Sequence, residues 1–368
     1  MNTFIEKVHM ENYKSIRNLD LKFSPNLNII IGPNGSGKTN FLDFLDGVMN
    51  GRYEGFNKSA KADVKMFYSM TQTEDFVRCS YDNDNDKNRF RCETGEYSDE
   101  KLYEGKLGFK KIGYNLPILD FFENFKNEIT YSYEDEIWYM DNNFKTLQFF
   151  NEFIQNWVCD EPIKLKDDES ELKKKVLSSF AESEPISSLI SMLRHFSLVK
   201  DVKIQDGISV KKTKDNKKFT LRNFSLEFLV NGEYLTWSQL SDGTKRVFTI
   251  IATVHTHLSQ DEHNVIAIEE PEIGIHPQQL FLLMTFLKER SIKSQIIITT
   301  HAPEVLNFID SHELNQIIIT DYAAEEGTQM RYLTEKEQSQ AKKYMENEGF
   351  LSDYWVHLNL EGEKQLII

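Results

Sequence analysis

The sequence predicts an α/β fold, a mixed sheet flanked by helices with an inserted lobe that is mixed but largely helical. Three observations predict it. Residues 18–31, NLDLKFSPNLNIII, alternate and then run apolar, the pattern of strand, turn and buried strand. Asn264 to Ile268 and Gln295 to Thr300, far downstream, carry the same buried-strand pattern, with a helix-length segment between them. This order suits one core whose halves are separated by an insertion. Residues 1–50 and 231–368 are expected to form the head and 51–230 the lobe.

The first buried strand runs into Gly32-Pro33-Asn34-Gly35-Ser36-Gly37-Lys38-Thr39, which matches GxxxxGK[ST] at every fixed position. Each position has a mechanical reason in phosphate binding. The glycines let backbone N–H groups face the phosphates, Lys38 reaches the β- and γ-phosphates, and the Thr39 hydroxyl ligates Mg²⁺. Asn40 to Leu45 then opens a helix whose positive N-terminal end points at the anion. The expected nucleotide contacts are Asn34, Gly35, Ser36, Gly37, Lys38, Thr39 and Asn40.

A phosphate-binding loop does not by itself choose among nucleotide-handling proteins. The C-terminal third narrows the choice. Leu240-Ser241-Asp242-Gly243-Thr244-Lys245-Arg246 precedes an apolar helix-length stretch, Val247 to Leu258. The strand from Asn264 to Ile268 ends at Glu269-Glu270-Pro271-Glu272, and the strand from Gln295 to Thr300 delivers His301. In open α/β sheets chemistry collects outside the carboxyl ends of the strands, and these ends fall at phosphate-binding, acidic and basic residues. Taken singly, each has a plain structural reading: a solvated helix start for Glu-Glu-Pro-Glu, a capping or core histidine for His301, a common turn for LSDG. Their order around one phosphate-binding loop is what joins them.

In that order the segments resemble the ABC-type ATPases of the SMC, RecF and OLD-like branch, and most of all the compact stand-alone prokaryotic OLD-like ATPases of the AAA family. IEEPEIGIHP (Ile268 to Pro277) and TTHAPEVL (Thr299 to Leu306) carry the likeness, which covers residues 1–50 and 235–360. The resemblance implies a P-loop NTPase with an ABC-type head that binds and hydrolyses ATP with Mg²⁺. It implies that Lys38 holds the phosphates while Thr39 and Glu269 hold the metal, Glu269 standing where the family usually has an aspartate. Glu270 then orients or deprotonates the attacking water, and His301 touches the γ-phosphate. Ser241, Asp242 and Gly243 form the signature that meets the ATP of a partner subunit, which makes a homodimer, or an assembly of such dimers, the expected form. Tyr13-Lys14-Ser15 resembles the segment that approaches nucleotide in this branch, a strand-edge lysine being the alternative, and Gln72 is the weak Q-loop candidate.

The middle of the chain is less informative. Asp75 to Tyr81 and Asn88 to Glu93 flank a polar turn, a hairpin signal; the acids of that turn lack the glycine and glutamate of a calcium loop. Phe121, Phe122, Phe125, Trp138, Tyr139, Phe149, Phe150, Phe153, Ile154 and Trp157 recur at helical spacing, so a helical lobe with an aromatic core is expected. Long heptads are absent, which excludes an extended coiled-coil arm. Lys211, Lys212, Lys217 and Lys218 cluster at the tip of a second hairpin, either a solvated turn or a contact with the backbone of double-stranded DNA.

Composition sets the outer limits. A net charge of -15 argues against a generally basic nucleic-acid coat protein but allows a local basic groove. Cys79, Cys92 and Cys159 lie far apart, which indicates neither a zinc site nor a disulfide framework. No apolar run approaches the ~20 residues of a membrane span, and the start of the chain lacks the apolar core of a signal peptide, so a cytoplasmic protein without membrane contact is expected. Full-length OLD-like proteins continue into a nuclease domain, for which the residues after His301 leave no room. The resemblance therefore implies a separate effector protein, a nuclease or toxin. Gly349 to Trp355 is read as a tail that packs on its own core or meets a partner. The preferred function is an ATP-driven switch that restrains or licenses such an effector in prokaryotic anti-phage defence. A DNA-handling ATPase of the RecF or SMC type, in repair or end recognition, is the alternative. A transporter subunit is disfavoured by the long insertion.

Overall fold

The computed structural model describes residues 4–49, 61–68, 75–84, 87–94, 109–113, 128–134, 137–140, 168–182, 184–212, 218–223, 225–259, 265–347 and 349–358. The chain forms two compact units. One holds Met1–Tyr114, Gln260–Ile273 and Met284–Ile368, the other Asn115–Ser259 and Gly274–Leu283. This division differs from the sequence boundaries at 50 and 231. Strands between 61 and 112 pair by backbone hydrogen bonds into the sheet of the head, a non-local pairing that composition does not reveal.

In chain order the first unit begins with β1 (Phe4–Tyr13), β2 (Ile16–Lys22), β3 (Leu27–Ile31), α1 (Lys38–Met49), β4 (Lys61–Tyr68), β5 (Asp75–Asp84), β6 (Lys87–Thr94) and β7 (Phe109–Ile112). The second unit takes β8 (Glu128–Glu134), β9 (Ile137–Met140), α2 (Glu169–Glu182), α3 (Glu184–Phe196), β10 (Val199–Ile204), β11 (Ser209–Lys212), β12 (Lys218–Arg222), β13 (Leu226–Val230), β14 (Glu233–Thr236) and α4 (Asp242–Ser259). There follow β15 (Val265–Glu269), α5 (Pro277–Ser291), β16 (Gln295–Thr300), β17 (Ile317–Ala323), β18 (Gly327–Tyr332), α6 (Glu335–Asn347) and α7 (Leu351–Leu358).

One 11-stranded sheet, ordered β6-β5-β4-β1-β2-β18-β17-β3-β16-β15-β7, organises the first unit. Every residue of β3, β15 and β16 is buried, because strands covered on both faces read as unbroken apolar runs. β2, by contrast, alternates buried and exposed positions. β7, β15, β16, β3 and β17 run parallel, with Glu269 opposite Thr299 and Thr300 opposite Ile31. Neighbouring strands β7, β15, β16 and β3 therefore each end within a residue of the next, whereas β17 continues from Ile319, opposite Ile31, to Ala323. α1 packs its apolar residues on this sheet: Phe41 stacks on Phe23 and Phe44 meets Tyr13 edge-on, with ring centroids 5.9 and 5.4 Å apart.

A buried polar residue ties the start of β16 to β1. Gln295 Oε1 accepts from Ile5 N–H at 2.8 Å, while its amide donates to Ile5 O at 3.0 Å and Ser24 O at 2.7 Å. After β17 the chain returns as β18, a strand too short in its alternation to stand out in the sequence. α7 buries Leu351, Tyr354 and Trp355, and Ser352 N–H donates to Asn307 Oδ1, so the tail packs on its own unit; Phe350, just before α7, and Val356 are strongly exposed.

The second unit carries a sheet ordered β10-β13-β14 and another ordered β11-β12-β8-β9. Trp138 and Tyr139 sit on β9 in a hairpin, with Tyr133 opposite Trp138, not on a helix as their spacing predicted; the alternation of EITYSYE is the stronger local signal. The remaining aromatic residues of that expectation, on either side of the hairpin, lie outside the described residues. Phe228, Trp237 and Phe248 form an aromatic cluster of this unit, with centroids 5.1 to 5.7 Å apart. Among the described residues no helix is long and apolar enough to cross a membrane.

Replacing Gln295 with Ala strands a buried N–H and two carbonyls. The expected cost is about 3 kcal/mol of unfolding free energy, read from the denaturant midpoint. A loss below about 1 kcal/mol would show that these groups find other partners.

Candidate functional site

The phosphate-loop motif occupies the turn between β3 and α1, at the carboxyl edge of the parallel strands. Asn34, Gly35 and Thr39 are exposed, Asn40 is half-buried, and Ser36, Gly37 and Lys38 are buried. Lys38 Nζ donates to the carbonyls of Gly32 and Pro33 at 2.8 and 3.0 Å, which holds the ammonium against the loop itself. Gly37 has φ +100°, and a Cβ there would collide with the Thr328 hydroxyl and crowd Ser15 Oγ. The loop is thus seated on β18 and on the turn after β1. Ser15 Oγ pairs with Thr328 Oγ1 and with Asn40 Nδ2, both at 2.7 Å.

The two acids and the histidine come together at the ends of β15 and β16. Glu269 ends β15 with little exposure. Glu270 follows in the left-handed region at φ +44°, its N–H donating to Thr299 O at 2.7 Å. A non-glycine residue there is strained, and such strain collects at functional sites. This conformation turns the chain so that Glu270 Oε1 lies 3.4 Å from His301 Nδ1. Glu272 Oε1 lies 3.5 Å from the same nitrogen.

An ion network that no local sequence pattern announces adjoins Glu269. Lys111, on β7, contacts Asp43 of α1 at 2.5 Å and Glu269 at 3.5 Å, and Lys14 contacts the other Asp43 oxygen at 2.6 Å. Burial by itself would raise the Asp43 carboxyl; the ammonium groups of Lys111 and Lys14 outweigh it and hold it below the usual carboxylate range. Nothing local marks Lys111. It lies in a four-residue strand inside the presumed insertion, and only its pairing with β15 brings it here. Beyond it, Gly113 sits beside Glu269 Oε2, whereas Gln72 lies outside the described residues.

The signature segment belongs to the second unit. Ser241 caps α4: its Oγ accepts Thr244 N–H at 3.2 Å and meets Thr244 Oγ1 at 2.9 Å. Asp242 is exposed, and Gly243 is needed because a Cβ would strike the Gly274 carbonyl. The second basic hairpin forms as β11 and β12, with Lys211 opposite Thr220 and Lys212 opposite Phe219. Lys211 is exposed, Lys212 is half-buried, Lys218 begins β12, and Lys217 lies outside the described residues.

The donors present suit Mg²⁺, which takes oxygen ligands: the exposed Thr39 hydroxyl and the Glu269 carboxylate supply them, while the loop amides and Lys38 suit a triphosphate.

A protein-family model described as "AAA domain, putative AbiEii toxin, Type IV TA system" matches residues 27–307. The chain is 22% identical over 382 residues to the Retron Vc95 probable ATPase of Vibrio cholerae serotype O1 biovar El Tor, which covers 86% of this chain and 74% of that one. It is 22% identical over 323 residues to the Septu protein PtuA of Bacillus thuringiensis, across 84% of this chain and 74% of that one. Among solved structures it is similar to the SMC head domain from Thermotoga maritima, with a TM-score of 0.52 and 13% identity over 90% of this chain and 99% of that one. The fold is that of an SMC-type head.

Glu270→Gly should be more stable than Glu270→Ala by about 1 kcal/mol, since only glycine adopts positive φ without strain. Paired denaturation curves measure this, and the ordinary order, alanine above glycine, would contradict the strained backbone.

Proposed function

The chain belongs to this AAA-domain family, and from that membership we propose that it is an ATP-driven switch of the cytoplasm. Two copies close around ATP, hydrolyse it, and signal through that closure to a separate effector protein, a nuclease or toxin, in prokaryotic defence against phage. The observation that carries the reading is the parallel register, which brings the phosphate loop, Glu269, Glu270 and His301 to one sheet edge. Likeness to a retron probable ATPase and to a Septu protein over most of the chain supports the choice among roles.

In this mechanism the loop amides and Lys38 bind the triphosphate, and α1 directs its positive end at the anion. Thr39 and Glu269 would hold Mg²⁺, which supplies charge neutralisation at the β- and γ-phosphates. Glu270 orients the attacking water and accepts its proton, and His301 steadies the γ-phosphate. Catalysis is positioning and electrostatics, so the site is complete only when Ser241, Asp242 and Gly243, at the positive end of a partner's α4, close over the nucleotide. DNA contact is the second reading. The β11–β12 hairpin, which carries Lys211, Lys212 and Lys218, favours it.

Glu270→Gln should lower ATP turnover by about 100-fold or more and trap the closed dimer, so that its solution mass doubles on adding ATP. A mass indifferent to ATP in this variant counts against closure, and equal turnover in Lys38→Ala counts against hydrolysis at this loop. Changing Lys211, Lys212, Lys217 and Lys218 together to Glu should abolish salt-sensitive binding to linear duplex DNA. Binding that survives the change sinks the second reading.

A further inference from the structure

The acid after the proline, Glu272, neither holds phosphate or metal nor activates water in the proposed mechanism. Its side chain is 8% exposed. Oε1 accepts from Thr300 Oγ1 at 2.6 Å and from His301 N–H at 3.3 Å, and lies 3.5 Å from His301 Nδ1. Oε2 is buried and accepts no hydrogen bond among the described residues. Burying a carboxylate with one oxygen unserved is costly, and packing alone gives no reason for an acid there.

All three contacts of Oε1 converge on one object. They hold the hydroxyl of the residue before His301, the backbone N–H of His301, and its ring. We infer that Glu272 is the positioning residue for His301, an inference that rests on the ATPase reading of the site. Glu270 and Glu272 face the same ring nitrogen, so Nδ1 is turned toward the carboxylates and Nε2 is the nitrogen presented outward. The two acids have different freedom. Glu270 must leave the ring to engage water, whereas Glu272 is anchored by the fully buried Thr300 and keeps the imidazole aimed while Glu270 works. The turn after β15 thereby sets the geometry at the end of β16, which couples the acid strand to the histidine strand.

Four variants test this: Glu272→Ala, Glu272→Gln, His301→Ala, and Glu272→Ala combined with His301→Ala. Glu272→Ala should bind a fluorescent ATP analogue within about twofold of wild type, yet turn over ATP about tenfold or more slowly with KM little changed. Glu272→Gln keeps an acceptor oxygen for Thr300 and His301 N–H, and should recover to within about threefold of wild type. In the His301→Ala background, removing Glu272 should cost less than about twofold more, because its effect runs through the ring. A full additional loss in that background, or equal loss in the Ala and Gln variants, overturns the inference. Histidine-labelled NMR reads the ring without turnover. The resonance absent from His301→Ala should move in Glu272→Ala and stay in Glu272→Gln, and a resonance unmoved in Glu272→Ala overturns the positioning role. A wild-type rate no higher than that of Glu270→Gln would instead overturn the ATPase reading, with the NMR result still deciding the role of Glu272.

Discussion

The site depends on one constraint, the parallel register of β3, β16 and β15. Thr300 pairs with Ile31 and Glu269 with Thr299, so the phosphate loop, the acids and His301 emerge side by side. A slip of one residue in either ladder would turn every side chain to the opposite face and carry the acids away from the histidine. All three strands are buried on both faces, so the apolar pattern favours no one register and polar partners must fix it. Gln295 adds a polar lock at the opposite end of β16, where its amide has partners only in this alignment.

The phosphate loop is held by more than its own sequence. Gly37 satisfies two demands at once, a left-handed backbone at φ +100° and a close approach to Thr328. Ser15, from the turn after β1, ties that support to α1 through Asn40. The loop therefore rests on residues from both ends of the chain. This gives the segment Tyr13-Lys14-Ser15 a structural role beside its expected approach to nucleotide: Lys14 pairs with Asp43 and Ser15 braces the loop.

The electrostatics at the acidic end are shared among several elements. Lys111 bridges α1 and β15 through Asp43 and Glu269, which places a cation beside the one carboxylate expected to hold metal. The strain at Glu270 is stored in the same place. Its left-handed backbone bends the chain directly after β15 and directs the carboxylate toward His301 instead of continuing along the strand.

Much of this was legible in the sequence, and the division follows the range of the forces. The phosphate loop, the strand from Gln295 to Thr300, and the acids and histidine at the strand ends were readable, since apolar runs and glycine spacing are local patterns. β18 was not, because GTQMRY alternates too briefly to stand out and gains its meaning only beside β17 and under Gly37. Lys111, the φ of Glu270 and the bonds of Glu272 belong to the same class. By itself the sequence determined which residue types stand at the ends of buried strands, and in what order. Tertiary structure alone decided which of them touch. Contacts such as Ser15 with Thr328, 313 residues apart, depend on sheet pairing that no local window contains.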